Sequence, residues 1–354
     1  MTSEERVRRK RRRTPSVSLV ARILAFAAVF HFLVLPQIGG TKRALGLVAG
    51  LDLLVILGAV VLEGLALLAY AQLTRSLLPP AERPGLGRMA RILLSSLAVN
   101  HVVPGGAAAG GVLQYRLLTG SGADPGHVSF VMATQSLGSA AVLNMLLWLG
   151  LVVSIPASGF QPVYATAAAV GAVLLAIVAA AVLALTRGRR RTALLIGRLA
   201  AKTHRLDEAR VVAAFERAAD QLTVLTTQRR LALTAVAWAA ANWLLDAAVL
   251  WVFVAAFGHR MSIPGLVVAY CLANVLAAIP ISPGGLGIIE TTLVVGLVGF
   301  GAPRAIASLG VASYRLVQFW APIPLGAVAW ASLSGGRRRD ALKTMTDEAR
   351  AEQP

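Results

Sequence analysis

Charged side chains in otherwise apolar sequence are the places where this chain could do chemistry. A charge near the middle of a bilayer costs about 2.5 to 3.5 kcal/mol, so each such residue needs a partner or a purpose. Glu290 and Arg315 have opposite signs and lie in neighbouring apolar segments. They form either a structural ion pair or a site that receives a lipid phosphate or ammonium, because a planar guanidinium fits phosphate geometry.

Further ionisable residues stand in or beside apolar runs, namely Asp52, Glu63, Arg116 and Asp246. Asp52 and Glu63 are separated by about three helical turns, so they share one helix face, which we expect to look into the helix bundle. A lone histidine on a span is more often a packing residue than a proton relay. We interpret His31 and His101 in this way.

Two apolar segments are each interrupted by the residues Pro-Gly-Gly. The sequences are NHVVPGG at 100–106 and ISPGG at 281–285. Proline removes a helix donor, and glycine lets the backbone turn where a side chain would clash. Unpaired backbone at membrane depth is tolerated only inside protein or beside a polar cavity. Each motif predicts an elbow at such a place; the alternative is a proline kink in a packed helix.

Residues for covalent or metal chemistry do not cluster in the sequence. The single cysteine, Cys271, lies in an apolar run, which excludes disulfides and thiolate metal sites. No set of acid, base and nucleophile stands out. We therefore predict no catalytic residue, no metal, no cofactor and a protein that is not an enzyme.

The elements that carry these residues must be membrane helices. Hydrophobic residues make up 57% of the chain and charged residues 14%, far from the balance of a soluble domain. A helix needs about 20 apolar residues to cross hydrocarbon. Runs close to or above that length cover 20–38, 45–72, 127–154, 162–186, 231–257 and 304–333. We predict an all-α polytopic membrane protein with about six full transmembrane helices.

Lysine and arginine residues concentrate at one set of span ends. Most of the 34 precede the first span, follow the last, or lie in the segments 75–91 and 187–230. The positive-inside rule then places both termini in the cytoplasm of a multi-pass protein of the cytoplasmic (inner) membrane. Because this charge borders spans, it indicates anionic lipid as the partner and not nucleic acid.

Counting sides along the chain gives two segments that cannot cross. Segment 92–118 begins and ends on the cytoplasmic side, and segment 264–300 begins and ends outside. Each must fold back at its Pro-Gly-Gly turn, and arms of about 12 residues in the first hairpin are too short to span. This predicts two oppositely oriented re-entrant helical hairpins, each between two spans, which form inverted repeats of the alternating-access kind.

The predicted organisation has five parts. They are a basic cytoplasmic tail (1–18), a first membrane half (19–186) with the in-facing hairpin 92–118, a cytoplasmic, basic and amphipathic connector (187–230), a second membrane half (231–333) with the out-facing hairpin 264–300, and a cytoplasmic tail (334–354).

Four motifs carry a resemblance to a known family. They are NHVVPGG at 100–106, YRLL at 115–118, SPGGLGIIE at 282–290 and YRLVQFW at 314–320. Together they resemble the transmembrane region of bacterial lysylphosphatidylglycerol synthetase/flippase proteins and their stand-alone relatives. The resemblance implies a multi-pass cytoplasmic-membrane protein. In the fused members of that family, this region is associated with moving an aminoacylated phospholipid from the inner to the outer leaflet.

The resemblance also marks candidate substrate or translocation residues. The matched positions are Asn100, Pro104, Gly105, Gly106 and Arg116 in the first half, and Pro283, Gly284, Gly285, Gly287, Glu290 and Arg315 in the second. Glu63 joins them because it is a carboxylate within a span. Fused family members continue into a soluble aminoacyltransferase domain, whereas here only 334–354 follow the last predicted span. We therefore expect this chain not to make a modified lipid.

The leading hypothesis is a lipid flippase or transporter that moves a phospholipid or lipid-linked amphiphile between leaflets. Its head group would enter a polar cleft between the hairpins, with Arg116 and Arg315 on phosphate, and Glu290 and Glu63 on cationic groups. The alternative is a non-transporting membrane subunit or scaffold for a glycosyltransferase or lipid-modifying enzyme. The expected partners are membrane lipids, an anionic phospholipid or a lipid-linked head group. No ATP-binding motif is visible, which leaves a gradient or simple equilibration as driving force.

Overall fold

The computed structural model describes residues 50–103, 106–158, 228–277 and 283–334, and a few helical residues between 168 and 180. All regular elements in these ranges are helical. Several predicted features lie outside the described residues: the span 20–38, most of the span 162–186, nearly all of the connector 187–230 and of both tails, and the elbow residues Pro104 and Gly105.

Eight long helices can be followed in the described ranges. They are α1 (Leu53–Leu77), α2 (Leu86–Val102), α3 (Gly106–Thr119), α4 (Pro125–Ser158), α5 (Arg229–Ala256), α6 (Ile263–Ala277), α7 (Ile288–Gly299) and α8 (Arg304–Ser334). Short 3-10 turns lie at Pro80–Glu82 and Pro283–Gly285. A π-helical turn, Leu316–Trp320, interrupts α8.

Four of these helices are long and apolar enough to cross a membrane. They are α1, α4, α5 and α8, with apolar helical stretches of 25 to 31 residues. Their outer faces carry exposed aliphatic side chains, such as Leu54 at 74%, Val152 at 65% and Val328 at 69%. A large apolar surface of this kind indicates contact with lipid or with another protein. The chain is an integral membrane protein, and four of the six predicted spans are present as helices of sufficient length and apolarity to cross a membrane.

The start of α1 corrects one prediction. Asp52 caps the helix, since its Oδ1 accepts the Leu54 N–H at 2.9 Å, and its side chain is exposed. A short carboxylate at this position satisfies a backbone donor that the helix leaves unpaired. The expectation that Asp52 faces the bundle interior is therefore wrong, because it ends the helix instead of lying within it. Glu63, in contrast, lies in the middle of α1.

The helices α2 and α3 form a tight antiparallel hairpin. A Cβ on Gly106 would collide with the backbone carbonyl of Asn100, and one on Gly110 would come within 2.6 Å of the Ser96 oxygen. From Gly106 to Gly110 along α3, the contacted residue moves backwards along α2 from Asn100 to Ser96, so the two helices run in opposite directions. The arms have 17 and 14 residues, longer than the expected 12. α2 is longer because it continues through Arg88 and Arg91, polar residues that lie before the apolar run.

The helices α6 and α7 form a second antiparallel hairpin, built in the same way. Gly285 approaches Ala277, Gly296 approaches Ala269 at 2.8 Å, and Gly265 approaches Phe300 at 3.0 Å, each measured from an added Cβ. The arms have 15 and 12 residues. The fold back of both predicted segments is therefore present in the structure, with each pair of arms packed over its length.

Candidate functional site

The elbow of the second hairpin is built from glycines that no other residue could replace without strain. Gly284, Gly285 and Gly287 have φ angles of +54°, +69° and +83°, in the left-handed region. Gly284 is also crowded: an added Cβ would overlap the Phe319 ring and lie 3.0 Å from His101 Cδ2. The backbone of this elbow therefore lies directly against α8 and the tip of α2.

Glu290 connects this elbow to α8. Its Oε2 accepts the Gly287 N–H at 2.6 Å, which caps the first turn of α7, and its Oε1 accepts Arg315 Nε at 2.6 Å. A carboxylate is favourable at a helix N-terminus, because unpaired backbone donors and the helix dipole both face it. The structural ion pair between Glu290 and Arg315, one of the two alternatives from the sequence, is thus present.

Arg315 is almost completely enclosed by its partners. Its Nη1 donates to Gln318 Oε1 at 2.7 Å, its Nη2 donates to the Gly284 carbonyl oxygen at 3.2 Å, and the guanidinium lies 4.4 Å from the centre of the Phe319 ring. The side chain of Arg315 is 4% exposed, against 18% for that of Glu290. A ligand that reaches this pair therefore approaches from the side of Glu290.

The π-helical turn of α8 contains Gln318 and Phe319, two of the residues that contact the Arg315 guanidinium. The Ala321 N–H donates to the Leu316 carbonyl at 2.9 Å, a longer loop than in an α-helix. Pro322 and Pro324 follow and lack N–H groups, so the ordinary helix ladder cannot form there. Such single π-turns are frequent at functional sites.

The first hairpin meets the second through His101. The His101 ring stacks on Phe319 at 4.3 Å between centroids, and its Nδ1 lies 3.0 Å from the Phe319 carbonyl oxygen. The imidazole is buried and completes the wall around the Gly284 elbow. This is the hydrogen-bonded packing position that the sequence analysis favoured. We use the name elbow cluster for Gly284, Glu290, Arg315 and Phe319 together with His101.

A second buried polar group lies in contact with the same helix as Arg315. Asp246 of α5 accepts two phenol hydrogen bonds on Oδ2, from Tyr270 at 2.5 Å and from Tyr314 at 3.1 Å. Glu63 of α1 lies within hydrogen-bond reach of the same carboxyl group. Asp246 was identified from the sequence as an ionisable residue in an apolar run, but no role was predicted for it. Neither tyrosine was predicted to lie at a site. The position of Tyr314, directly before Arg315, was the available signal.

The remaining candidates divide into two groups. Gly106 and Asn100 form the described part of the first elbow, where their backbones touch. Arg116 does not join the elbow cluster: it is exposed, and it lies about 15 Å further along α3 from Gly106, by helical rise. Arg116 and Arg315 therefore do not form a single site in this structure.

A basic cavity opens where α1 ends and α5 begins. It has a volume of about 440 Å³, and its lining includes Arg75, Arg83 and Arg230. Arg75 and Arg83 also donate to backbone carbonyls, of Pro84 and Leu78, which holds them in place. Basic pockets at the ends of membrane helices suit anionic head groups. Among the described residues, no group of three or more His, Cys, Asp or Glu side chains could hold a metal ion.

Parts of this sequence are similar to known proteins. The chain is 28% identical over 110 residues to a UPF0104 membrane protein of Methanothermobacter thermautotrophicus, and 24% identical over 145 residues in a further match to a UPF0104 membrane protein of that organism. It is 36% identical over 98 residues to an uncharacterized protein of Synechocystis sp.. These matches cover 31%, 40% and 27% of this chain, and 33%, 43% and 28% of the respective relatives.

A family-level match covers far more of the sequence than any of these relatives. Residues 19–326 match the family described as lysylphosphatidylglycerol synthase TM region. The matched range includes both glycine elbows, Glu290 and Arg315. It confirms the resemblance drawn from the four motifs. The chain belongs to the lysylphosphatidylglycerol synthase transmembrane-region family.

Proposed function

We propose that this protein moves a phospholipid or lipid-linked amphiphile between the leaflets of the cytoplasmic membrane. The observation that carries the proposal is the meeting of two helical hairpins at a buried arginine and carboxylate pair, Arg315 and Glu290. A membrane lipid offers phosphate for a guanidinium and, in many head groups, ammonium for a carboxylate.

The first supporting step is the length of the hairpin arms. Arms of 12 to 17 residues extend about 18 to 26 Å, less than the roughly 30 Å of hydrocarbon in a bilayer. Hairpins that enter the membrane and return to the same side fit these lengths. The proposed architecture is therefore six full spans with two re-entrant hairpins, one from each face, and the five-part organisation given above.

The second supporting step is the repetition of one unit. α1, the α2 and α3 hairpin and α4 have the same order as α5, the α6 and α7 hairpin and α8. With Lys and Arg on the cytoplasmic side, the two units point in opposite directions and both termini are cytoplasmic. Inverted repeats of this kind allow a site at their junction to open to either side in turn. The elbow cluster lies at that junction.

The third step is the chemistry available to a head group. A lipid phosphate that enters beside Glu290 would compete with that carboxylate for the Arg315 donors, while Glu290 would turn to a cationic group or to the α7 N-terminus. The backbone of the elbow is part of the same arrangement, because the Gly284 carbonyl accepts from Arg315 and the Gly287 N–H donates to Glu290. Binding and reorientation are the steps required, so we propose a transporter and not an enzyme.

The basic cavity supports an anionic lipid partner at the membrane surface. Three arginines around one cavity would attract phosphate head groups of the cytoplasmic leaflet and supply the elbow cluster with substrate. The same cavity favours the second candidate function, a non-transporting subunit that docks a lipid-modifying enzyme or glycosyltransferase. In that case acidic protein segments would occupy the cavity.

A leaflet-resolved lipid assay in proteoliposomes tests this function. Purified protein should speed the transfer of a head-group-labelled phospholipid between leaflets, and the double variant Arg315→Ala with Glu290→Ala should abolish the acceleration. The double change removes both charges, so neither is left buried alone. The matched control removes the hydrogen-bonded pair Glu82 and His127, which lies outside the elbow cluster. Transfer no faster than in empty liposomes would refute transport; full activity of the double variant would refute the assigned site.

A further inference from the structure

Two carboxyl groups face each other across the contact between the proposed halves of the protein. Glu63 belongs to α1 and Asp246 to α5, and these two helices make the most extensive helix contact in the described part of the chain. Asp246 is 7% exposed. The two carboxyl groups lie within hydrogen-bond reach of each other. The contact therefore joins the first repeat unit to the second at one buried point.

The hydrogen bonds around this pair leave one oxygen on each side without a protein donor. Oδ2 of Asp246 accepts from Tyr270 and Tyr314, whereas Oδ1 of Asp246 and Oε2 of Glu63 are buried and accept from no described donor. A carboxylate oxygen can only accept, so two carboxylates cannot hydrogen-bond to each other. An acid proton on one of them turns the contact into an O–H to O⁻ hydrogen bond, which is short and strong.

The charges nearby do not neutralise the pair. Arg315, a cation that interacts electrostatically with Asp246, already has Glu290 as its ion partner at 2.6 Å. The other groups that face the pair are the phenols of Tyr270 on α6 and Tyr314 on α8. His101 of α2 lies beside Arg315 and stacks on Phe319. The one ionisable residue of α4, His127, bonds to Glu82 at the start of that helix.

We propose that Glu63 and Asp246 form a proton-binding site that holds one proton while the two halves are closed against each other. Release transfers the proton from the shared carboxyl group to water and leaves two carboxylates. These repel each other strongly in a medium of low dielectric constant. Loss of the proton therefore separates α1 from α5, and uptake closes them again.

This inference deepens the proposed function, because it rests on two halves that move against each other. The proton site would supply a driving force for the proposed transport, because each lipid transfer would be linked to binding and release of a proton at the junction. The two tyrosine hydroxyl groups bond to one Asp246 oxygen, Oδ2, and leave the buried Oδ1 without a protein donor. Asp246 is thereby held ready to share a proton with α1.

Infrared difference spectroscopy of the purified protein in lipid nanodiscs tests the site without any transport. Between acidic and alkaline pH the wild type should lose one C=O band of a protonated carboxyl group. Glu63→Gln and Asp246→Asn should each abolish this band. Both amides retain a donor and an acceptor, so the helix contact survives and folding is preserved. Glu82→Gln, at a carboxyl group bonded to His127 and to a backbone N–H, should leave the band unchanged.

The outcomes separate the proton site from the proposed function. The proton site would be overturned if the wild type showed no such band, or if the band persisted in both amide variants. It would also be overturned if the band responded to sodium and not to pH. A band that behaves as expected supports the site even in a protein that transfers no labelled lipid, in which case only the transport proposal falls. In proteoliposomes, lipid transfer by the wild type should change with pH, whereas Glu63→Gln should make the rate independent of pH; a pH-independent wild type would overturn the coupling.

Discussion

Glu290 bonds at once to Arg315 and to the backbone of its own helix. One carboxylate oxygen accepts Arg315 Nε at 2.6 Å, and the other accepts the Gly287 N–H at 2.6 Å. The same side chain therefore fixes the start of α7 and neutralises the buried guanidinium of α8. Because Arg315 also donates to the Gly284 carbonyl, the elbow is closed into a ring of hydrogen bonds.

The two members of this pair should be strongly coupled in stability. Glu290→Ala leaves the Arg315 charge buried without its partner, and breaking a buried ion pair in this way costs about 3 to 5 kcal/mol. The double variant with Arg315→Ala should be destabilised by clearly less than the sum of the single changes. A double-mutant cycle on the free energy of unfolding in lipid bicelles measures the difference.

The pair Glu82 and His127 is the control for that cycle. It has a similar distance, 2.9 Å, but the side chains are 21% and 43% exposed. Exposed ion pairs contribute about 0 to 1 kcal/mol. Coupling at Glu290 and Arg315 no larger than at the control pair would contradict the structural role given to the buried pair.

Gly284→Ala should damage the protein more than a comparable change at another glycine with positive φ. Positions of this kind strain an alanine by about 1 to 3 kcal/mol. At Gly284, where φ is +54°, the new methyl group would also overlap Phe319. At Gly301, where φ is +94°, no atom lies within 4 Å of the added Cβ, so only the strain applies.

Thermal unfolding and lipid transfer of both variants check this prediction. We expect Gly301→Ala to lower the midpoint modestly with transfer retained, and Gly284→Ala to lower it further and to abolish transfer. Equal effects of the two variants would show that the contact between the elbow and Phe319 contributes nothing beyond backbone strain.

Gly106→Ala should separate the arms of the first hairpin. The added methyl group would overlap the main chain of Asn100, which cannot move without parting α2 from α3. Overpacking of this kind typically costs about 1 to 3 kcal/mol, and more where the obstacle is backbone. Gly111 lies on the same helix, but a Cβ there would meet only Met132 Cε at 3.6 Å, an ordinary contact. The midpoint of thermal unfolding should fall clearly for Gly106→Ala and little for Gly111→Ala.

Much of the fold could be predicted because its signals are local in sequence. Long apolar runs gave four spans that the structure contains, and Pro-Gly-Gly marked both chain reversals. Glu290 and Arg315 stood out because an isolated charge in apolar sequence needs a partner, and the two residues have opposite signs. The predicted helix boundaries were less accurate. α2 begins before its apolar run. α1 begins inside its apolar run, where Asp52 caps it.

The candidate site was only partly predictable because its contacts are distant in sequence. Glu63 and Asp246 lie on helices far apart in the sequence, and nothing in their local sequence indicates that α1 and α5 pack together. In the sequence, Tyr270 and Tyr314 look like ordinary aromatic residues. The structure shows that both bond to the Asp246 carboxyl group. Arg116 shows the opposite error, since a motif match placed it with Arg315 although α3 carries it to the far end of the first hairpin.

The proposed opposite orientation of the hairpins predicts which connecting loops face the cytoplasm. The loop after α3 should be cytoplasmic and the loop before α8 extracellular, since side counting from the lysines and arginines assigns them so. Single cysteines at Gly120→Cys and Arg304→Cys, both exposed positions, would report this to a membrane-impermeant thiol reagent. The native Cys271 is 1% exposed and should give little background, and Cys271→Ala removes what remains. In intact cells the reagent should label position 304 and not 120, and in inverted vesicles the reverse. Labelling of both positions from the same side would make the hairpins parallel, and the two units could then not be inverted copies whose junction opens to each leaflet in turn.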